Sequence, residues 1–354
     1  MKIMMTGGGT LGPVTPLIAI AEAWKKLDPN IEFIWFGTSE GPEGDLLKKL
    51  GYRFFSIKTA KLSRHFAFST LIAPIVLYKS YFKARDLIKK EKPDLVMSAG
   101  GYVSVPFVWA AKTLKTPTWI HQLDVRPGLA NRMMANFASK ITTSWEKSLQ
   151  NYPKGEWLGT PVRESLRQMS RERVYREYQL DSEYPTVLIL GGGLGAEWIN
   201  KTMAKIGPDL IAKANVIHQT GKGKDLDELE AIGGRYHVKE FIYEMDKAYA
   251  AANLVVCRAG MGTISELAFL RKPTILIPIP GNQQEDNAAT LLEANAAIVF
   301  DQAMAPGLLS EKITNLLEKQ GKLREMGNNI SKLIPTEGVA TKIAKQARLL
   351  ASSQ

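Results

Sequence analysis

The stretch "KIMMTGGGTLGPVTPLIAIAEAW" (residues 2–24) decides the fold. Residues 2–5 are mostly apolar, Gly7, Gly8, Gly9 and Gly12 crowd the turn that follows, and a helical pattern begins at Pro16. A strand, a glycine turn and a helix together aim unpaired backbone N–H groups, and about half a positive charge, at an anion. The same turn could simply pack strand on helix, so the pattern alone names no ligand. Thr15 is placed to cap the helix and Pro16 suits its first turn. The pattern returns at "TVLILGGGLGAEWIN" (186–200), and a third glycine turn opens a helix at Thr263 in "CRAGMGTISELAFLRKP" (257–273).

Working outward, short apolar runs alternate with helical patterns. The first series of strands is 2–5, 31–37, 94–101, 116–122 and 140–144. The second is 186–193, 215–221, 253–260, 273–280 and 296–300. Such alternation builds parallel sheets with helices on both faces. A chain of 354 residues accommodates two domains of this kind. The expected α/β architecture is two Rossmann-like domains joined near "LGTPVRESL" (158–166), one over 1–160 and one over 161–337. Ligands of such sheets bind beyond the carboxyl ends of the strands, so the active site is expected in a cleft between the domains.

Composition narrows the function classes. Lys and Arg total 46 against 35 Asp and Glu, a formal charge of +11, which suits either an anionic partner or a solvated basic surface. Cys257 is the single cysteine, which excludes an internal disulfide or a cysteine-based metal cluster and suits a reducing compartment. Glycine arrives by residue 7, too early for the apolar core of a signal peptide, and no long apolar run predicts a spanning helix. The stretch 61–92 combines Phe68, Leu71, Ile72 and Ile75 with Lys79, Lys83, Arg85, Lys89 and Lys90. It reads as a membrane-facing surface or as a core helix with a solvated basic end, kinked or delimited at Pro74.

The glycine spacing Gly7-x-Gly9-x-x-Gly12 imitates a dinucleotide fingerprint, but "IWFGTSEG" (34–41) lacks the acid that would hold a nicotinamide cofactor's ribose. A nicotinamide-dependent oxidoreductase is therefore disfavoured. Nucleic-acid binding would account for the charge but not for three glycine turns. Glu266, near the start of the third helix, could accept hydrogen bonds from vicinal sugar hydroxyls, or merely offset the helix dipole. Gln283, Gln284 and Asn287 carry amides suited to sugar hydroxyls.

Together these pieces resemble the MurG glycosyltransferase family. The matching segments are "GGTLGPVTP" (8–16), "SAGGYVSVP" (98–106), "IHQLDVRPGLANR" (120–132), "LGTPVR" (158–163), "GGGLGAEWIN" (191–200), "HQTGKG" (218–223), "EFIYEM" (240–245), "CRAGMGTISE" (257–266) and "QQEDNA" (283–288). The resemblance implies a GT-B fold whose C-terminal helix, around 338–350, returns to the N-terminal domain. It implies inverting transfer of N-acetylglucosamine from UDP-N-acetylglucosamine to an undecaprenyl-diphosphate-linked N-acetylmuramoyl-pentapeptide in peptidoglycan synthesis, with no cofactor, metal or nucleic acid. It also implies peripheral attachment, through 61–92, to the anionic cytoplasmic face of the bacterial inner membrane.

Carried over by motif, the resemblance gives the donor site Arg163, Gly193, Ile242 (uracil, through its backbone), Met261, Gly262, Thr263, Ile264, Ser265, Glu266 (ribose), Gln283 and Gln284 (N-acetylglucosamine). The acceptor-diphosphate side takes Thr10, Leu11, Gly12, Gly101 and Tyr102.

The departures fall in the loops. The family's first loop usually reads G-G-T-G-G-H, and here Leu11 replaces a glycine and Pro13 the histidine, which removes a candidate proton acceptor. Gly193 and Leu194 replace a serine and a glutamine, and "HEQN" has become His121-Gln122-Leu123-Asp124. His121, whose ordinary pKa suits a base at neutral pH, and Asp124, a carboxylate where an amide is usual, become the candidate catalytic groups. The altered loops also leave room for a different acceptor or sugar, or for a UDP-sugar-binding homologue without catalysis.

Overall fold

The computed structural model describes residues 1–59, 68–167, 169–192, 195–224 and 227–353, except for the side chains of 68–73. The chain divides into two compact units, one of Met1–Arg163 with the C-terminal segment from Thr336, the other of Glu164–Pro335.

Among the described residues the first unit holds a parallel sheet of seven strands. These are β1 (Lys2–Thr6), β2 (Glu32–Gly37), β3 (Arg53–Ser56), β4 (Leu95–Ser98), β5 (Thr118–Gln122), β6 (Lys140–Thr143) and β7 (Glu156–Trp157), in the order β3-β2-β1-β4-β5-β6-β7. The second unit holds six parallel strands. These are β8 (Thr186–Leu190), β9 (Asn215–Gln219), β10 (Tyr236–Lys239), β11 (Leu254–Cys257), β12 (Thr274–Leu276) and β13 (Ile298–Val299), in the order β10-β9-β8-β11-β12-β13. In both, the first strand lies at the centre and the order reverses beside it, as in a dinucleotide-binding sheet.

The reason lies in the strand sequences. Ile3, Met4, Met5 and Thr6 are all buried, as are Val187, Leu188, Ile189 and Leu190. A strand apolar on both faces must be covered on both, which requires crossover helices and therefore parallel pairing. Met4 pairs with Ile34 on one side and Val96 on the other. The helix Val339–Ser352 belongs to the first unit and lies against the helix Thr15–Leu27, burying Val339, Ala340, Ile343, Ala344, Ala347 and Ala351. That mostly alanine face lets the two helices approach closely.

Several local expectations are corrected. The strands stop short of their glycines: 94–101 yields only Leu95–Ser98, and 253–260 only Leu254–Cys257. Thr15 does not cap its helix; it is the first helical residue, and no side chain caps the end. The helix Phe68–Glu91 runs through Pro74, which does not delimit it. A proline inside a helix costs about 3 kcal/mol. The part beyond it is anchored by Ala84 and Ile88, which pack with Phe107, Ala110 and Ala111 of the helix Val105–Thr113. β3, β7 and β10 went unread because they are short edge strands with little continuous apolar sequence. Among the described residues no helix is long and apolar enough to cross a membrane.

Candidate active site

Each sheet has a switch point where ligands of this fold bind, between β1 and β4 in the first unit and between β8 and β11 in the second. In the first unit the carbonyl of Leu11 accepts the N–H groups of both Val14 (3.0 Å) and Thr15 (3.0 Å), which turns the glycine loop into its helix. Thr10 is exposed, and Leu11, Gly12 and Pro13 are half-buried. The turn after β4 meets this loop backbone to backbone. A Cβ at Gly101 would stand 3.0 Å from the Gly8 carbonyl oxygen, and Gly101 has a φ of +93°, so both space and conformation require glycine there. Tyr102 follows, half-buried, its ring against Gly9.

His121 is not a base for a bound acceptor. It is fully buried, with Nδ1 2.9 Å from Thr142 Oγ1 and Nε2 3.1 Å from Ser144 Oγ. Burial pushes its pKa down to about 3, so the ring is neutral at pH 7 and both nitrogens are occupied. Asp124 is half-buried in the loop after β5. Gln122 holds that loop: its Nε2 donates to the Asp124 carbonyl (2.7 Å), while its Oε1 accepts from Asn131 Nδ2 (2.6 Å) and Tyr152 OH (3.2 Å). A glutamate at position 122 could not make the first of these bonds.

In the second unit, Gly193 and Leu194 lie outside the described residues. Gln219, 5% exposed, donates from Nε2 to the Gly192 carbonyl (3.1 Å) and accepts the Ile242 N–H on Oε1 (2.8 Å). One buried amide thus joins the loops after β8 and β10. The Ile242 N–H is engaged by it, so the expected backbone contact narrows to the carbonyl.

The helix after β11 is Met261–Leu270, opening two residues earlier than expected. Its N-cap, Gly260, is extended and offers no side chain, and open space surrounds the position of its absent Cβ. The N-cap residue therefore supplies no side-chain acceptor to the first turn, whose backbone N–H groups point out of the helix end as they do in anion sites. Met261, Ile264 and Ser265 are buried; Ser265 Oγ donates to the Met261 carbonyl (2.5 Å), so these three can reach a ligand only through backbone. Glu266 lies in the second turn, not the first, and is half-buried; Tyr249 OH donates to its Oε2 (2.8 Å).

The loop after β12 is coupled to the same helix. Arg258 donates from Nη1 to the Ile277 carbonyl (3.0 Å) and from Nη2 to Gln302 Oε1 (3.1 Å), and burial lowers its pKa. Asn287 is buried and donates to the Ala259 carbonyl (3.1 Å), so it is a brace rather than a sugar ligand. Gln283 and Gln284 open the helix Gln283–Glu293; Gln284 Oε1 accepts the Ile279 N–H (3.2 Å). Arg163, half-buried, is the last residue of the first unit. Gln122, Gln219, Tyr249 and Gln302 were missed from the sequence. Gln122 and Gln219 had a signal: each is a polar residue at the carboxyl end of a parallel strand, where ligands of this fold bind.

Two Rossmann-like parallel sheets, each with its own switch point, are the GT-B fold of glycosyltransferases. Residues 3–143 match the N-terminal domain of glycosyltransferase family 28 and residues 186–344 match its C-terminal domain, and the chain belongs to that family. It is 35% identical over 346 residues to a protein of Acetivibrio thermocellus, covering 93% of each chain, which is named UDP-N-acetylglucosamine--N-acetylmuramyl-(pentapeptide) pyrophosphoryl-undecaprenol N-acetylglucosamine transferase. A Desulforamulus reducens protein of the same name is 32% identical over 374 residues and the whole of both chains. The crystal structure of Acinetobacter baumannii MurG is 26% identical, with a TM-score of 0.73 over 98% of this chain and 99% of that one. A Neisseria meningitidis UDP-GlcNAc 2-epimerase, at 15% identity and a TM-score of 0.72 over 99% and 100%, shares the fold.

Proposed function

We propose that the protein transfers N-acetylglucosamine from UDP-N-acetylglucosamine to undecaprenyl-diphosphate-linked N-acetylmuramoyl-pentapeptide, with inversion at the anomeric carbon. The observation that carries this reading is the helix Met261–Leu270, opening after β11 on a glycine N-cap with Glu266 in its second turn, in a chain whose full-length relatives carry the name of that transferase. The acceptor hydroxyl oxygen bonds to the anomeric carbon as the bond to the donor phosphate breaks, and the electron pair leaves with UDP. The N–H groups of Met261, Gly262 and Thr263 stabilise the departing diphosphate. Glu266 holds the ribose hydroxyls, oriented by Tyr249, and the carbonyl of Ile242 meets uracil at N3–H. Gln283 and Gln284 contact the N-acetylglucosamine. Arg163 and Gly193 complete the donor set.

The loops at Thr10–Gly12 and Gly101–Tyr102 serve the acceptor diphosphate. With Pro13 unable to take a proton and His121 buried, Asp124 is the group that receives the proton of the acceptor hydroxyl. Transfer of labelled N-acetylglucosamine to a lipid-linked muramoyl acceptor tests the reading. Donor binding without transfer or donor hydrolysis would leave only a UDP-sugar-binding protein.

Attachment to the anionic cytoplasmic face of the membrane belongs to the same reading. Residues 61–67 and the side chains of Phe68, Leu71 and Ile72 lie outside the described residues. What supports the membrane contact is the exposed face beyond them: Ile75 (58%), Tyr78 (65%) and Phe82 (41%), interleaved with exposed Lys79, Lys83, Lys89 and Lys90.

A further inference from the structure

Glu43 lies in "SEGPEGDLL" (39–47), a stretch that carries no motif of its own. In the fold it is completely buried, directly beneath the first glycine loop. Its Oε1 accepts three hydrogen bonds, from the Thr38 N–H (2.7 Å), the Thr38 hydroxyl (2.5 Å) and the Gly9 N–H (3.1 Å). Its Oε2 has no partner. The Thr38 hydroxyl oxygen also accepts the Gly41 N–H (3.0 Å).

Glycine at three positions gives this carboxyl its room. A Cβ on Gly8 would overlap Oε1, one on Gly41 would overlap Oε2, and one on Gly37 would stand 3.0 Å from Oε1. Burying a carboxyl group costs several kcal/mol unless hydrogen bonds offset it, and here one oxygen is left unbonded. Stability alone gives no reason to keep it.

A glycine loop is conformationally free, and fixing each residue costs about 1–2 kcal/mol. A loop that must meet an anion binds it more tightly if that ordering has been done beforehand. We propose that Glu43 is the positioning residue of the acceptor side. It pins Gly9 directly, with Thr38 and Gly41 holding Oε1 in place, so that the loop after β1 keeps one arrangement against the turn after β4 before the acceptor diphosphate arrives. The Gly9 N–H is withdrawn from the ligand as a consequence. The hold depends on an acceptor oxygen and not on charge, because every donor converges on Oε1 and an amide oxygen can replace it.

The inference rests on the acceptor assignment made above for the glycine loop. The test compares E43A, E43Q and T38V, each with its melting temperature, its UDP-N-acetylglucosamine Kd, its kinetics toward the lipid-linked acceptor, and backbone hydrogen exchange at 7–13. E43A is expected to raise the acceptor KM at least tenfold and to speed exchange in the loop, with the donor Kd within twofold of the unaltered protein. E43Q should stay close to the unaltered protein in both respects. If E43A does not fold, T38V carries the test: it removes the hydroxyl link with Glu43 intact, and is expected to raise the acceptor KM severalfold, with T38S restoring it.

Unchanged acceptor kinetics in folded E43A or T38V would overturn the proposal. So would equal losses in E43A and E43Q, or donor and acceptor affinities falling together. If the unaltered protein binds donor but transfers nothing, the proposed function fails, and loop exchange in E43A still decides whether Glu43 holds the loop.

Discussion

Glu266 is a short side chain whose value depends on its neighbours. Its Oε2 already accepts the Tyr249 hydroxyl, which fixes the carboxylate in the second turn of a helix with a glycine N-cap. On the proposed ribose role, Glu266→Ala removes charge-assisted hydrogen bonds at a cost of ~1.5–3 kcal/mol and should raise the UDP Kd by roughly tenfold to a hundredfold. Tyr249→Phe, which loses one neutral donor and leaves the carboxylate in place, should raise it by roughly threefold to tenfold. Calorimetry reads both, and an unchanged Kd in Glu266→Ala removes the ribose assignment. Asp124 is the other decisive residue. Asp124→Asn keeps shape and loses basicity, so kcat should fall by ~10²–10⁴ while donor affinity is unchanged. Normal turnover in that variant would eliminate it, and buried His121 could not take its place.

Among the elements, the helix Phe68–Glu91 presents both an apolar and a basic surface. Tyr78 and Phe82 stack edge to face with ring centroids 4.7 Å apart, both exposed. Each basic residue near an acidic leaflet contributes about 1 kcal/mol and is screened by salt, whereas the aromatic pair is insensitive to salt. Vesicles containing acidic lipid should therefore float the protein at low salt and release most of it at high salt. Tyr78→Ser with Phe82→Ser should reduce flotation at both. Equal binding to neutral vesicles would contradict this. The helix Gln320–Leu333 makes a second, purely mechanical point. Gly327 is buried where a Cβ would overlap the carbonyl oxygen of Arg271, at the end of the helix Met261–Leu270. Gly327→Ala should destabilise the protein by about 1–3 kcal/mol through overpacking, read by denaturant unfolding, despite alanine's better helix propensity.

For the molecule as a whole, acid stability follows from two buried imidazoles. Burial pushes both His121 and His218 from the ordinary 6.5 down to about 3. The unfolded chain takes up protons near pH 6.5 that the native state refuses until about 3, so stability falls as the pH is lowered through that window. Between pH 6.5 and 5 the loss is about 3 kcal/mol for the pair. Thermal melts at pH 7 and pH 5 check it, and His218→Gln should flatten the dependence by about half. How far the sequence specified this protein varies with the kind of feature. Residues 2–24 and 186–200 determined the two parallel sheets and their ligand-facing loops, because a strand covered on both faces must be continuously apolar and a chain turning beneath a ligand needs glycine. The glycine before Met261 was visible for the same reason, whereas the parts played by Gln122 and Gln219 at the ends of β5 and β9 were not. The edge strands β3, β7 and β10 were not, since a short half-exposed strand is defined by its neighbour rather than by its own composition. Nor could the sequence tell that His121 is sealed between Thr142 and Ser144, that Tyr249 braces Glu266, or that Glu43 lies beneath Gly9. A titratable side chain takes its role from burial and from partners 17 to 34 residues away in the chain, and only the tertiary structure brings those partners into contact.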